Sequence, residues 1–192
     1  MKKIIKEEVK NIDSFFNEIK KSHPMDNRLE KFLRKFIEES ECREIQFSGF
    51  NLPGALGLSI KTGVLINKMV LNQPLPMLIF VILHEIAHQY QFKKYGEKKM
   101  YEYYIGDISD QEAADFMRKT EIVADEFATR KIRQLQKMGY FNGFTPPSVY
   151  QNMPNAQIIM IVRQFRSMIK MKNITSPEEI SEFFYNMVKN DL

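Results

Sequence analysis

From Leu75 to Tyr95 the chain runs without a helix breaker, and its apolar stretch Leu75 to Leu83 passes straight into His84-Glu85-Ile86-Ala87-His88. A helix apolar at almost every position must be buried on most sides. The rest of the chain therefore has to build layers around it. Pro74 and Pro76 open this segment and Gly96 closes it, the arrangement expected of a helix with a sharp start and stop. Histidines four residues apart on a helix lie on one face, so both imidazoles can reach a single ion. Glu85, about 100° round the helix from His84, can address a water at that ion without binding the ion itself. Two of only three histidines in the chain fall in this pattern. Polar groups buried on such a helix need partners, and a metal is one; the plainer reading is a pair of core histidines that merely hydrogen-bond.

The flanking sequence predicts a predominantly helical α+β protein with a small sheet before the motif helix. Apolar positions Ile5, Val9, Ile12, Phe16 and Ile19, then Leu29, Phe32, Leu33, Phe36 and Ile37, recur at helical spacing, broken at Ser22-His23-Pro24. Arg43 to Phe47 alternates like a strand. Leu58 to Leu71, centred on Lys61-Thr62-Gly63, predicts a second and third strand as a hairpin. After Gly96 comes a polar, tyrosine-rich connection. Ser109 and Glu112 then form an S-x-x-E capping box that opens a long helix ending near Gly139. Ile158 to Met171 and the stretch from Ser176-Pro177 predict two further helices. The expected organisation is one domain over 1–192: N-terminal helices in 1–42, a core in 43–140 and C-terminal helices in 141–192.

A catalytic zinc takes three protein ligands and keeps a position open for water, so the two histidines require a third partner. Cys42 is the only cysteine, which rules out a thiolate cluster and fits a reducing compartment. Of the candidates, His23 sits at a turn before Pro24, whereas Glu121 lies within Thr120-Glu121-Ile122-Val123-Ala124-Asp125-Glu126-Phe127-Ala128 on the long helix. Glu121, Ala124, Asp125 and Ala128 share one face, and the small alanines let this helix approach another closely. Glu121 is accordingly the expected third ligand. Asp125, one turn on, is expected to accept the free ring N–H of His84 or His88.

His84-Glu85-x-x-His88 followed by Glu121-x-x-Ala124-Asp125-x-Phe127-Ala128 resembles the minimal gluzincin metallopeptidases, and most closely the ImmA/IrrE family, whose second motif reads E-x-x-A-N-x-F-A. It is similar also to a largely membrane-embedded group of zinc peptidases whose second motif reads E-x-x-A-D. Asp125 agrees with that group, whereas a chain without a span agrees with the soluble family. The resemblance covers roughly Leu58 to Leu135. It implies a zincin-like fold, a Zn2+ cofactor and a cytoplasmic endopeptidase, often carried by phages or mobile elements, that cleaves a repressor or other regulatory protein.

On this reading Glu85 is the general base, and His84, His88 and Glu121 are the metal ligands. Tyr101, Tyr103, Tyr104 and Tyr140 are the candidate donors to the tetrahedral oxyanion. The strand around Val64 to Met69 is a candidate edge for pairing with an extended substrate. The alternative is a catalytically inactive metal-binding protein that acts as an interaction module. The net charge of +4 and pI near 9.0 come from Lys and Arg interleaved with acids, which points to solvated helix faces and not to nucleic acid. The longest apolar run is too short for a membrane span, and the opening residues lack the apolar core of a signal peptide.

Overall fold

A computed structural model describes residues 9–49 and 55–189. The order is α1 (Ile12–Ser22), α2 (Asn27–Glu39), β1 (Ile45–Ser48), β2 (Gly57–Ile60), β3 (Gly63–Asn67), α3 (Leu75–Tyr95), α4 (Glu97–Ile105), α5 (Asp110–Lys137), α6 (Val149–Asn152), α7 (Asn155–Met171) and α8 (Pro177–Lys189). The protein is mostly helical with a small three-stranded sheet, the α+β class expected. Ile5, read as the first apolar position of the N-terminal helices, lies outside the described residues.

The sheet order is β1-β3-β2, with β1 parallel and β2 antiparallel to β3. Lys61-Thr62 forms the two-residue turn between Ile60 and Gly63, as the hairpin reading requires. Two expectations change. Met69 and Val70, read as strand, belong to a 3-10 turn, Lys68–Asn72, opened when the Asn67 side chain accepts from the Met69 N–H at 2.9 Å. The strand around Val64 is also no edge: β3 is the middle strand and is buried at every position. Its continuous apolar run is what a strand covered on both faces needs. The edge strand next to α3 is β2, which among the described residues pairs only with β3.

Helix α3 is buried around most of its circumference, from Leu78 through Ile86 and on to Gln91. Pro76 stands in its first turn, where a missing N–H costs nothing, and Gly96 ends it at φ +78°. The hairpin is fastened to α3 by side chains. The Gln89 amide donates to the carbonyls of Ile60 (2.8 Å) and Gly63 (3.1 Å), and Ser59 Oγ donates to the Glu85 carbonyl (2.7 Å).

Residues Glu97–Ile105, expected as a connection, form helix α4, with Met100, Tyr101, Tyr103 and Tyr104 buried. Burial of that aromatic face outweighs the polar character of the segment. Helix α5 opens on the expected capping box, Ser109 with Glu112.

Two apolar clusters form the interior. One gathers α1, α2, β1, β3, most of α3 and the C-terminal half of α5. The other gathers α4, the N-terminal half of α5, α7 and α8. Helices α3 and α5 run through both, and the motif residues lie midway along each helix, where the clusters meet. Among the described residues no helix is long and apolar enough to cross a membrane.

Candidate metal centre

His84 and His88 project from α3 towards α5, which presents Glu121 and Asp125 one turn apart. Ala124 and Ala128, both fully buried, keep the two helices close. His84 Nε2 lies 3.1 Å from His88 Nε2 and 3.1 Å from Glu121 Oε2, and His88 Nε2 lies 3.5 Å from Glu121 Oε1. Ligands held tetrahedrally at zinc bond lengths stand roughly 3.3 Å apart. The three residues together could hold a metal ion.

The hydrogen bonds behind the imidazoles fix which nitrogen faces inward. Asp125 Oδ1 lies 2.9 Å from His84 Nδ1, and a carboxylate can only accept, so Nδ1–H donates. Gln91 donates its amide N–H to the Thr120 carbonyl at 2.8 Å, which turns its oxygen towards His88 Nδ1, also at 2.8 Å. His88 Nδ1–H therefore donates as well. Two neutral imidazoles held this way point bare Nε2 lone pairs at each other and at a carboxylate. Three converging lone pairs in a buried place repel unless a cation or protons lie among them.

The charges of these groups act on one another. Burial would lower both histidines, but Asp125 and Glu121 raise His84 well above its usual range, and the Glu121 charge raises His88. Burial would raise Glu121; the charge on His88 and contacts with both imidazoles hold it low instead. Glu85, pushed up by burial and only partly offset by His88 and His84, sits above the ordinary carboxylate range. Gly57 packs against its side chain. A Cβ at Gly57 would lie 2.4 Å from Glu85 Cγ and 2.5 Å from Oε1, so only glycine leaves the carboxylate its place.

His84, Glu85, His88, Glu121 and Asp125 open onto a cavity of about 500 Å³. Of the four tyrosines singled out in the sequence, Tyr101, Tyr103 and Tyr104 line it. The Tyr101 hydroxyl is engaged with Ser181 Oγ at 2.8 Å and accepts from the Lys61 N–H at 3.3 Å. Burial pushes its phenol up to about 12. Tyr140 is not at the site: its hydroxyl donates to the Asp26 carboxylate at 2.7 Å, at the start of α2. The Gly139–Gly143 turn swings it towards α2 and away from the cavity.

His23 is also elsewhere, with Nε2 2.9 Å from the Leu71 carbonyl. Two residues that the sequence reading passed over belong to the site. Gln91 was visible three residues after His88, as a polar side chain on an apolar helix. Tyr150 sits on the four-residue helix α6, which has no periodicity to read. Arg118 Nη1 holds its carbonyl at 2.9 Å, and its ring lines the cavity. The charge on Glu121, then burial, then Glu85 keep its phenol protonated.

Comparison of the chain with protein-family models, with curated proteins and with solved structures finds no match in any of the three.

Proposed function

We propose that this protein is a zinc-dependent endopeptidase of the gluzincin type. The observation that carries the reading is the convergence of His84 Nε2, His88 Nε2 and a Glu121 carboxylate oxygen beside a buried Glu85 that binds none of them. His84, His88 and Glu121 would hold the ion, leaving a coordination position free. A bound zinc supplies Lewis-acid polarisation of a carbonyl and lowers the pKa of water.

The protein's own groups do the rest. Glu85, held slightly hungry for a proton by burial, takes one from the attacking water and returns it to the departing amide nitrogen. Tyr150, whose hydroxyl has no partner among the described residues, is the donor best suited to a developing oxyanion. Tyr103 and Tyr104 share the cavity with it.

The edge of β2 suits an extended peptide. The Asn67 N–H donates to the Leu56 carbonyl at 3.0 Å. By antiparallel alternation Leu58 and Ile60 also face β3, so the backbone N–H and C=O of Gly57 and Ser59 point outward. These are the residues that pack on Glu85, so a peptide added to this edge runs past the base. Among the described residues the cavity lining contains no Lys or Arg to receive a terminal carboxylate, and each of its acids already has another part in the site. Internal peptide bonds are therefore the favoured substrate. The likeness of the two motifs to the ImmA/IrrE family suggests a regulatory protein as the target.

Elemental analysis of protein purified without added metal, together with hydrolysis of an unfolded protein substrate, tests this. Wild type and Glu85→Gln should each carry about one zinc per chain, and His88→Ala and Glu121→Ala little. Glu85→Gln should lose about 10²-fold or more in kcat. Absence of metal uptake in wild type, or full activity in Glu85→Gln, would remove the reading.

A further inference from the structure

The cavity is much larger than three ligands and a base require, and much of its apolar wall comes from helices that supply none of them. Phe92 from the end of α3, Met100 and Tyr104 from α4, Ile161 and Phe165 from α7, and Phe184 from α8 form that wall. Its rings brace one another: Tyr104 to Phe165 at 5.3 Å, Tyr104 to Phe184 at 5.9 Å and Phe165 to Phe184 at 6.3 Å between centroids. Phe184 is 1% exposed and Met100 3%, so the wall is fixed by core packing and is not a loose surface patch. The acidic and imidazole lining is that of the candidate metal centre, His84, Glu85, His88, Glu121 and Asp125, and none of it belongs to this wall. Leu56 to Ser59 of the open β2 edge line the same cavity, so a peptide lying on that edge directs a side chain into it.

We infer that this wall is a specificity subsite that takes one large apolar or aromatic side chain of the peptide, adjoining the scissile bond. The inference rests on the peptidase reading for its substrate class and adds the residue the enzyme selects. A cavity of about 500 Å³ lies within the usual range of ligand pockets. It has room for an aromatic ring with space over for the adjoining backbone. A charged side chain would lose its hydration against these six residues, none of which carries a charge. A small side chain would leave the rings uncovered. Ile161 and Phe165 are only partly buried in the protein alone, so they have surface to cover when the subsite fills.

The chain contains no Trp, so the emission of a Trp-containing peptide reports its own surroundings without background. Zinc-loaded Glu85→Gln protein is titrated with a blocked peptide carrying one central Trp among alanines. The expected result is a saturable blue shift, reversed by the same peptide with Phe or Leu at the centre, and at least about tenfold less effectively by the Ala, Lys or Asp versions. Ile161→Phe, which fills the space, and Ile161→Glu, which charges it, should each weaken binding by about tenfold or more while zinc content stays that of the parent.

An unshifted emission, competition indifferent to the central side chain, or unchanged binding in both Ile161 variants would overturn the subsite. Wild-type cleavage of the same peptides separates the two ideas. Hydrolysis without side-chain preference would sink the subsite and leave the peptidase. Selective binding that never leads to hydrolysis would sink the peptidase and leave an apolar peptide-binding subsite.

Discussion

On the proposed peptidase mechanism, the base Glu85 depends on its contact with Gly57. The missing side chain of Gly57 is filled by the Glu85 carboxylate, and a methyl group there would overlap Cγ, Cδ and Oε1 at 2.4 to 2.7 Å. Gly57→Ala should therefore move the base without touching a metal ligand. Hydrolysis is expected to fall about 10²-fold, as for a misplacement of the order of an ångström, with zinc content near that of wild type; loss of both together would mean that the substitution unfolds the site. The partners behind the imidazoles carry a second prediction. Asp125→Ala and Gln91→Ala each leave a ring N–H without its acceptor and should weaken zinc affinity about 10- to 100-fold in a competition titration against a chelator. Asp125 was readable from the sequence, one helical turn from Glu121. Gln91 stood out only as a polar side chain on an apolar helix; its role appears once the fold brings its Thr120 acceptor opposite.

At the scale of elements, the hairpin is placed by α3 as much as by its own strand pairing. Gln89 holds two carbonyls of the hairpin from a position 4% exposed. Gln89→Leu keeps the volume but leaves the Ile60 and Gly63 carbonyls facing an apolar group. Loss of about 1 to 3 kcal/mol in chemical denaturation is expected, with zinc content preserved because the ligands stand elsewhere on the helix. A change below about 0.5 kcal/mol would mean that water or strand pairing already satisfies those carbonyls. Helix α4 shows why the Tyr-rich segment was misread. Judged alone, Glu97 to Ile105 has too many charges to commit to a helix. Its aromatic face becomes decisive only against Phe92, Phe165 and Phe184, supplied by three other helices.

For the whole molecule, the metal-free protein and the metal-loaded protein should respond to pH in opposite ways. His84 and His88 are raised in the fold above their ordinary value of 6.5. The stability they contribute without metal is full below that pH and is lost as pH rises through the raised values. Glu121, lowered in the fold, contributes above its ordinary 4.5 and loses that contribution as the medium becomes strongly acidic. A metal needs both Nε2 atoms bare, so protons compete with it. The rise in Tm on adding zinc should thus be larger at about pH 8 than at about pH 6. A rise that is equal at both, or larger at the acid end, would place the ion at some other site. Because α3 and α5 belong to both apolar clusters, zinc that joins them should raise one cooperative unfolding transition and not only a part of it.

The motif helix, the capped helix that faces it, the hairpin before them, and the candidate ligand set His84, His88 and Glu121 with Asp125 behind were all legible in the amino-acid order. These follow from local rules: side chains four apart share a helix face, a two-residue turn pairs neighbouring strands, and Ser109 with Glu112 fixes where a helix begins. Which strand is the edge, which way each tyrosine points and what walls the cavity follow instead from how the elements pack. The apolar run Val64 to Ile66 says that the strand is buried but not which strands pair with it; the parallel pairing of β1 makes it the middle strand. Tyr140 and Tyr150 are alike in sequence, yet Asp26 takes the first from 114 positions away while Arg118 turns the second into the site. Such contacts join residues distant in the chain, and no local propensity encodes them.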